Sequence, residues 1–244
     1  MLAFAEMLKN LTPVKRMFSK ESSFRKRFFE RITDLLAIIL SIYLALNIEG
    51  WAEKRIEHKR LIQYYQNLAS EIEKDTVSLS QVIADAEKHI QTTGTHINLL
   101  RDYKPTLLDT ITSLYRGMLS SEVFYSSQMI SYQAMVLSGD LRLIEDLEVR
   151  EELIELEEVY KSLKIYEELY LDFILNRLTT AFSESFDLLS MQLVDEKYYS
   201  QHNYRNLVAE FYAHNANRLN QYKEAMKKAR ETREVILNEL HEKK

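Results

Sequence analysis

No cysteine occurs in the 244 residues, and proline and glycine are scarce, at two and four. The first absence excludes a disulfide framework, thiolate metal ligation and a cysteine nucleophile. The scarcity of the other two removes the usual helix breakers and turn formers, so few, long helices are expected. Strand-like alternation does not persist anywhere. Also missing are the glycine-rich phosphate loop, the dinucleotide fingerprint, the nucleophile elbow and the His-Glu-x-x-His pair. The six histidines, His58, His89, His96, His202, His214 and His241, form no ligand pattern. His89 and His96, seven apart, can share a helix face, but surface or capping roles are expected of them. No enzyme chemistry, metal or cofactor is expected.

Charge is present but unevenly placed. Residues 1–31 hold eight Lys or Arg against three Glu, whereas the whole chain carries a net charge of -5. The remainder is therefore acidic and offers no electrostatic footprint for nucleic acid. Between the two lies an apolar run, Ile32 to Trp51, whose helical length of about 30 Å matches the hydrocarbon core of a bilayer. Basic residues before such a run orient that side toward the cytoplasm. The apolar region begins too far in, with no small-x-small site behind it, for a cleaved signal peptide. The expected organisation is a cytoplasmic basic segment at 1–31, a transmembrane helix at 32–51 and an extracytoplasmic helical body at 52–244. Within the first segment Leu2, Phe4, Met7, Leu8 and Leu11 have the spacing of a short amphipathic helix that ends at Pro13.

Inside the apolar run, Asp34, Ala37, Ser41, Ala45 and Glu49 follow one another at three or four residues and so share a helix face. A stripe of small residues lets membrane helices approach closely, which predicts a homo-oligomer or another membrane subunit as partner, with lipid around the rest. An acid in a membrane helix also admits a role for Asp34 in ion or proton movement. Trp51 is placed as the anchor at the outer interface. Beyond it, Ile62, Tyr65, Ala69, Ile72, Thr76, Leu79, Ile83, Ala86 and Ile90 alternate in steps of three and four, the period of a coiled-coil or bundle seam. Gly94 is the first expected interruption. A helix over about Tyr204 to Leu240 repeats the spacing and is expected to cover the seam.

Shorter helices are expected between these two: Thr95 to Tyr103, Thr106 to Leu119, Ser126 to Ser138 ending at Gly139, and Glu148 to Leu189. Asp140 is a candidate cap for the turn after Gly139. The acidic run Glu145 to Glu158 has leucines at helical spacing, so its charges are expected on a solvated face. Tyrosines such as Tyr64, Tyr65, Tyr160, Tyr166, Tyr170, Tyr198 and Tyr199 are expected to line a bundle with hydroxyls at its edge. The fold class expected is all-α: one amino-terminal transmembrane helix continuing into a long helix of an antiparallel extracytoplasmic bundle.

Two stretches resemble a family of bacterial single-pass membrane proteins whose shared domain has no assigned function. That family reads Ile-Ala-Leu-Gln-Ile-Asn-Asn-Trp-Asn-Glu after its apolar run; here Ala45, Leu46, Ile48, Trp51 and Glu53 match, while Glu49, Gly50 and Ala52 replace asparagines. Further on, Tyr132, Ser138, Gly139, Asp140, Leu141, Ile144, Val149 and Arg150 look like a second shared segment. The resemblance implies a bacterial inner-membrane anchor with a helical exterior domain, and it supplies no catalytic residue. The function expected is that of a membrane-anchored structural or interaction protein, a subunit or accessory factor of a larger complex. A ligand sensor signalling through the continuous helix and a partner subunit is the alternative.

Overall fold

The computed structural model describes residues 12–119 and 123–243, and the side chains of residue 31 and of 35 onward, Leu46 excepted. The short helix expected before Pro13 and the side chain of Asp34 lie outside the described residues. The chain divides into two compact units, Met1–Lys59 and Arg60–Lys244.

Among the described residues the fold is all-α apart from one minimal hairpin. Helix α1 (Thr12–Arg101) is followed by a 3₁₀ turn (Pro105–Leu107), α2 (Leu108–Met118), α3 (Ile130–Ser138) and a second 3₁₀ turn (Asp140–Leu143). Then come α4 (Leu147–Phe173), a π-helical stretch (Ile174–Leu178), α5 (Thr179–Ser185), the antiparallel pair β1 (Phe186–Asp187) and β2 (Gln192–Leu193), a 3₁₀ turn (Glu196–Ser200) and α6 (His202–Glu242).

The local chemistry explains most boundaries. Gly94 does not interrupt α1, because one glycine costs a helix only about 1 kcal/mol and the flanking Thr93 and His96 are buried. Gly139 ends α3 in the left-handed region at φ 76°, where only glycine is free of strain. Asp146 caps α4 by accepting the Val149 N–H at 3.0 Å. Asp140 does not cap a helix; its carboxylate accepts the Tyr64 hydroxyl at 2.9 Å and pairs with Arg60 at 3.5 Å. The helix expected to run on to Leu189 passes through the π stretch, ends at Ser185 and turns into the hairpin. Two paired residues per strand are too few to show as alternation.

The second unit holds two cores. The first gathers Leu61, Tyr65, Leu68 and Ile72 of α1, Met135 of α3, Leu153 and Leu156 of α4, and Ala229 and Ile236 of α6. The second is aromatic, with Tyr115, Tyr170, Phe182, Phe186, Tyr199, Tyr204 and Phe211. Along α1, Leu61, Tyr65, Leu68, Ile72, Asp75, Leu79, Val82 and Ala86 are buried in steps of four and three, with Ala69 buried beside Leu68 and Thr93, His96 and Leu100 buried further on. Ion pairs tie the elements together: Glu73 of α1 to Arg233 of α6 at 2.9 Å, Glu87 to Lys223 at 2.8 Å, and Glu152 of α4 to Lys228 of α6 at 2.8 Å.

Candidate functional site

In the apolar run, every residue from Leu35 to Ala45 is exposed, and so are Ala37, Ser41, Ala45 and Glu49 of the small-residue face. The polar groups of this stretch are satisfied inside the helix. Ser41 Oγ donates to the Ala37 carbonyl at 2.7 Å and Asn47 Nδ2 to the Tyr43 carbonyl at 2.7 Å. Trp51 is 64% exposed, with the Arg55 guanidinium 5.5 Å from its ring. Of the seam positions, Tyr65, Ile72 and Leu79 are buried, Ile62 and Ile83 pack partly buried against the first core, and Ile90 is half-buried.

The most unusual chemistry lies where the non-helical residues 123–129 cross the second unit. Helix does not begin at Ser126 because the backbone of this strap is engaged by side chains of α1, α4 and α6. Arg218 Nη2 donates to the Val123 carbonyl at 3.0 Å and to Glu167 at 3.1 Å. Glu167 also accepts the Tyr125 N–H at 3.4 Å and, closely, the Tyr222 hydroxyl. Asp75 accepts the Gln128 N–H at 3.1 Å, and Glu71 accepts both the N–H and the hydroxyl of Ser131. The backbone N–H groups of Tyr125, Gln128 and Ser131 therefore each meet a carboxylate. The Arg218 guanidinium lies 3.8 Å from the Tyr170 ring centroid, with Phe124 and Tyr222 also around it.

Glu167 and Arg218 form a buried ion pair, whereas Asp75 sits in the apolar seam at 1% exposure. Burial pushes the Asp75 carboxyl up to about 6. The Gln128 N–H and the hydroxyls of Tyr160 and Tyr125, which lie beside the carboxylate without completing a hydrogen bond, pull the other way; Glu71 adds to the rise. Beside the strap opens a recess of about 410 Å³ between Tyr125, Ser127, Met129 and Tyr132 on one side and Tyr160, Lys161 and Lys164 of α4 on the other.

The histidines are not all at the surface. His96 is buried, meets the Tyr204 hydroxyl at 2.8 Å, and burial lowers its pKa to about 4. His89 stacks edge-on to Phe211 at 5.6 Å and His214 lies 4.7 Å from Phe173. Their role is packing between helices, which corrects the expectation of surface or capping positions. Tyr65, Tyr160, Tyr170 and Tyr199 are buried, while Tyr64, Tyr166 and Tyr198 are half-buried. Of the acidic run, Glu148, Glu151, Glu155 and Glu158 are exposed and Glu152 holds Lys228. Among the described residues no three His, Asp or Glu converge as a metal site.

Sequence reasoning missed Asp75, Glu167 and Arg218. The only signal was an acid falling in the heptad register at Asp75, beside the apolar residues one step away.

The sequence model of a family of unknown function, DUF6090, matches residues 34–216, about three quarters of the chain. The chain belongs to DUF6090. No curated protein and no solved structure matches it. The DUF6090 match starts at Asp34, takes in the apolar run, the seam, Asp75, the strap and Glu167, and stops two residues short of Arg218.

Proposed function

We propose that this DUF6090 protein is a non-enzymatic, membrane-anchored structural or interaction protein, a subunit or accessory factor of a bacterial inner-membrane complex. Its apolar run crosses the bilayer with the basic residues 1–31 in the cytoplasm. Residues 52–244 form an antiparallel helical bundle on the other side. The small-residue face of Ala37, Ser41 and Ala45, with Asp34 and Glu49 at its ends, meets a second copy or another membrane subunit.

The observation that carries this reading is the exposure of the apolar helix. Leu35, Leu36, Ile38, Ile39, Leu40, Ile42 and Leu44 are each at least half exposed. Leaving them in water forgoes on the order of 10 kcal/mol of burial, as much as a whole domain's stability. Lipid supplies the missing apolar surroundings, and the internal bonds of Ser41 and Asn47 remove the cost of their polar groups there. The bundle reading is supported by partner order: as numbers rise along α1 from Glu73 to Glu87 they fall along α6 from Arg233 to Lys223.

Topology is tested in the cysteine-free background with Ser19→Cys and Ser200→Cys. An impermeant maleimide should label Ser200→Cys in intact spheroplasts and Ser19→Cys only after permeabilisation. Release of the chain by alkaline carbonate defeats the anchor. For the packing face, Ser41→Leu with Ala45→Leu should lower the mass of the detergent-solubilised particle; an unchanged mass and partner set removes that contact. The recess beside the strap favours the second reading, a ligand sensor. A ligand-induced rise in melting temperature abolished by Lys164→Glu would support it.

A further inference from the structure

Asp75 is a buried carboxylate with which, among the described residues, no cation pairs. Its oxygens accept the Gln128 N–H, and Glu71 nearby carries the same sign. Buried charges are ordinarily compensated, as Arg218 compensates Glu167. Asp75 has no such partner within the chain.

Two tyrosines join Asp75 to the recess beside the strap. Tyr125 and Tyr160 both line that recess, with ring centroids 5.6 Å apart. Both side chains are more than nine-tenths buried, and both hydroxyls lie beside Asp75 without a hydrogen-bond partner. A cation in the recess is attracted by the rings, and the Asp75 charge behind them acts through a medium of low dielectric. The mouth is different. Glu157 holds Lys161 at 3.0 Å, which cancels both charges. Lys164 meets Glu168 at 3.8 Å with both side chains exposed, a contact of little strength, so its ammonium can turn to a ligand at small cost. The recess therefore draws a cation to its floor and an anion to its mouth. Tyr160 and Lys164 stand one turn apart on α4, about 6 Å along its axis.

We propose that the recess binds a small zwitterion, an amino acid whose ammonium rests on Tyr125 and Tyr160 in front of Asp75 and whose carboxylate meets Lys164. The proposal names the ligand of the sensor reading above and rests on that reading. It accounts for three features at once: the uncompensated Asp75, the aromatic pair between it and the recess, and the weakly held lysine one turn away. A ligand with a cation alone leaves Lys164 unused, and one with an anion alone leaves Asp75 uncompensated. Separation of the two charges by about one helical turn, roughly 6 Å, favours an amino acid with its amine several carbons from its carboxylate.

The test is calorimetric titration of the full-length chain in non-ionic detergent near neutral pH, with 4-aminobutyrate, butylamine and butyrate as probes. 4-Aminobutyrate should bind one site with a Kd of about 1 mM or below, and each single-charge analogue at least about tenfold more weakly. Asp75→Asn keeps the acceptor for Gln128, so the fold persists, and Lys164→Glu changes an exposed side chain; each should weaken 4-aminobutyrate at least about tenfold with an unchanged circular dichroism spectrum. Undiminished affinity in either variant overturns the proposal, as does butylamine or butyrate binding as tightly as 4-aminobutyrate. Ser127→Trp, which fills the recess from the strap, separates the two claims. A single-charge probe that binds best, and whose binding this variant abolishes, refutes the zwitterion and leaves a sensing recess. No saturable binding of any probe, or binding that survives Ser127→Trp, removes both the zwitterion and the recess as a ligand site.

Discussion

Asp75 shows how one residue can set the pH response of a helical core. Its folded-state pKa of about 6 lies above its ordinary 3.8, so the group stabilises the fold when protonated. That contribution is complete below about pH 4 and is lost as pH rises through about 6, a change of about 2–3 kcal/mol for a shift of this size. Asn at this position keeps an acceptor for the Gln128 N–H and removes the charge. Asp75→Asn is therefore expected to gain about 2 kcal/mol at pH 7.5 and nothing at pH 4, read from urea denaturation of the full chain at both pH values. Equal gains at the two would refute the assignment. The Glu167 and Arg218 pair behaves oppositely. Arg218→Met leaves a buried carboxylate without its cation and should cost about 3–5 kcal/mol, whereas adding Glu167→Gln should recover part of that loss. A double-mutant cycle with strictly additive effects would show that the two do not act as a pair. Neither group was legible from the sequence, because what compensates each burial is a backbone N–H or a cation from a distant segment. Helical periodicity reports which face is apolar and carries no sign of such partners.

At the scale of elements, helix existence was legible and helix ends were less so. The seam shows why. Ile62 stands beside Leu61, Ala69 beside Leu68 and Ile83 beside Val82, so two registers one residue apart read equally apolar, and Thr76 looked the better core residue than Asp75. The start of α3 lies later for a related reason: residues 126–129 have helical composition, but the Gln128 N–H among them is held by Asp75 of α1. Glycines give a sharp test of what each element demands. No atom lies within 4 Å of a Cβ added at Gly94 or Gly139, so only backbone conformation distinguishes them. Gly94→Ala, inside α1, should stabilise by about 0.5–1 kcal/mol. Gly139→Ala, at φ 76°, should destabilise by about 1 kcal/mol. Thermal melts of the two variants should move in opposite directions; a gain from Gly139→Ala would mean that the turn after α3 is not held as described.

For the molecule as a whole, composition alone announced an all-α chain with an apolar helix near its start, since breakers are rare and charge is segregated. How the remainder holds itself together follows from where burial begins. Every buried residue among those described lies at or after Leu61, and both cores are complete within Arg60–Lys244. A unit whose core needs nothing from upstream should fold without it. Residues 60–244 produced alone are therefore expected to be water-soluble, predominantly helical, and to unfold cooperatively within a few degrees of the full chain in detergent. The same fragment should fail to sediment with membranes, which ties the location of the protein to the residues it lacks. Aggregation or a non-cooperative melt would show that the cores depend on the first unit, and membrane binding by the fragment would place an anchor within residues 60–244 themselves.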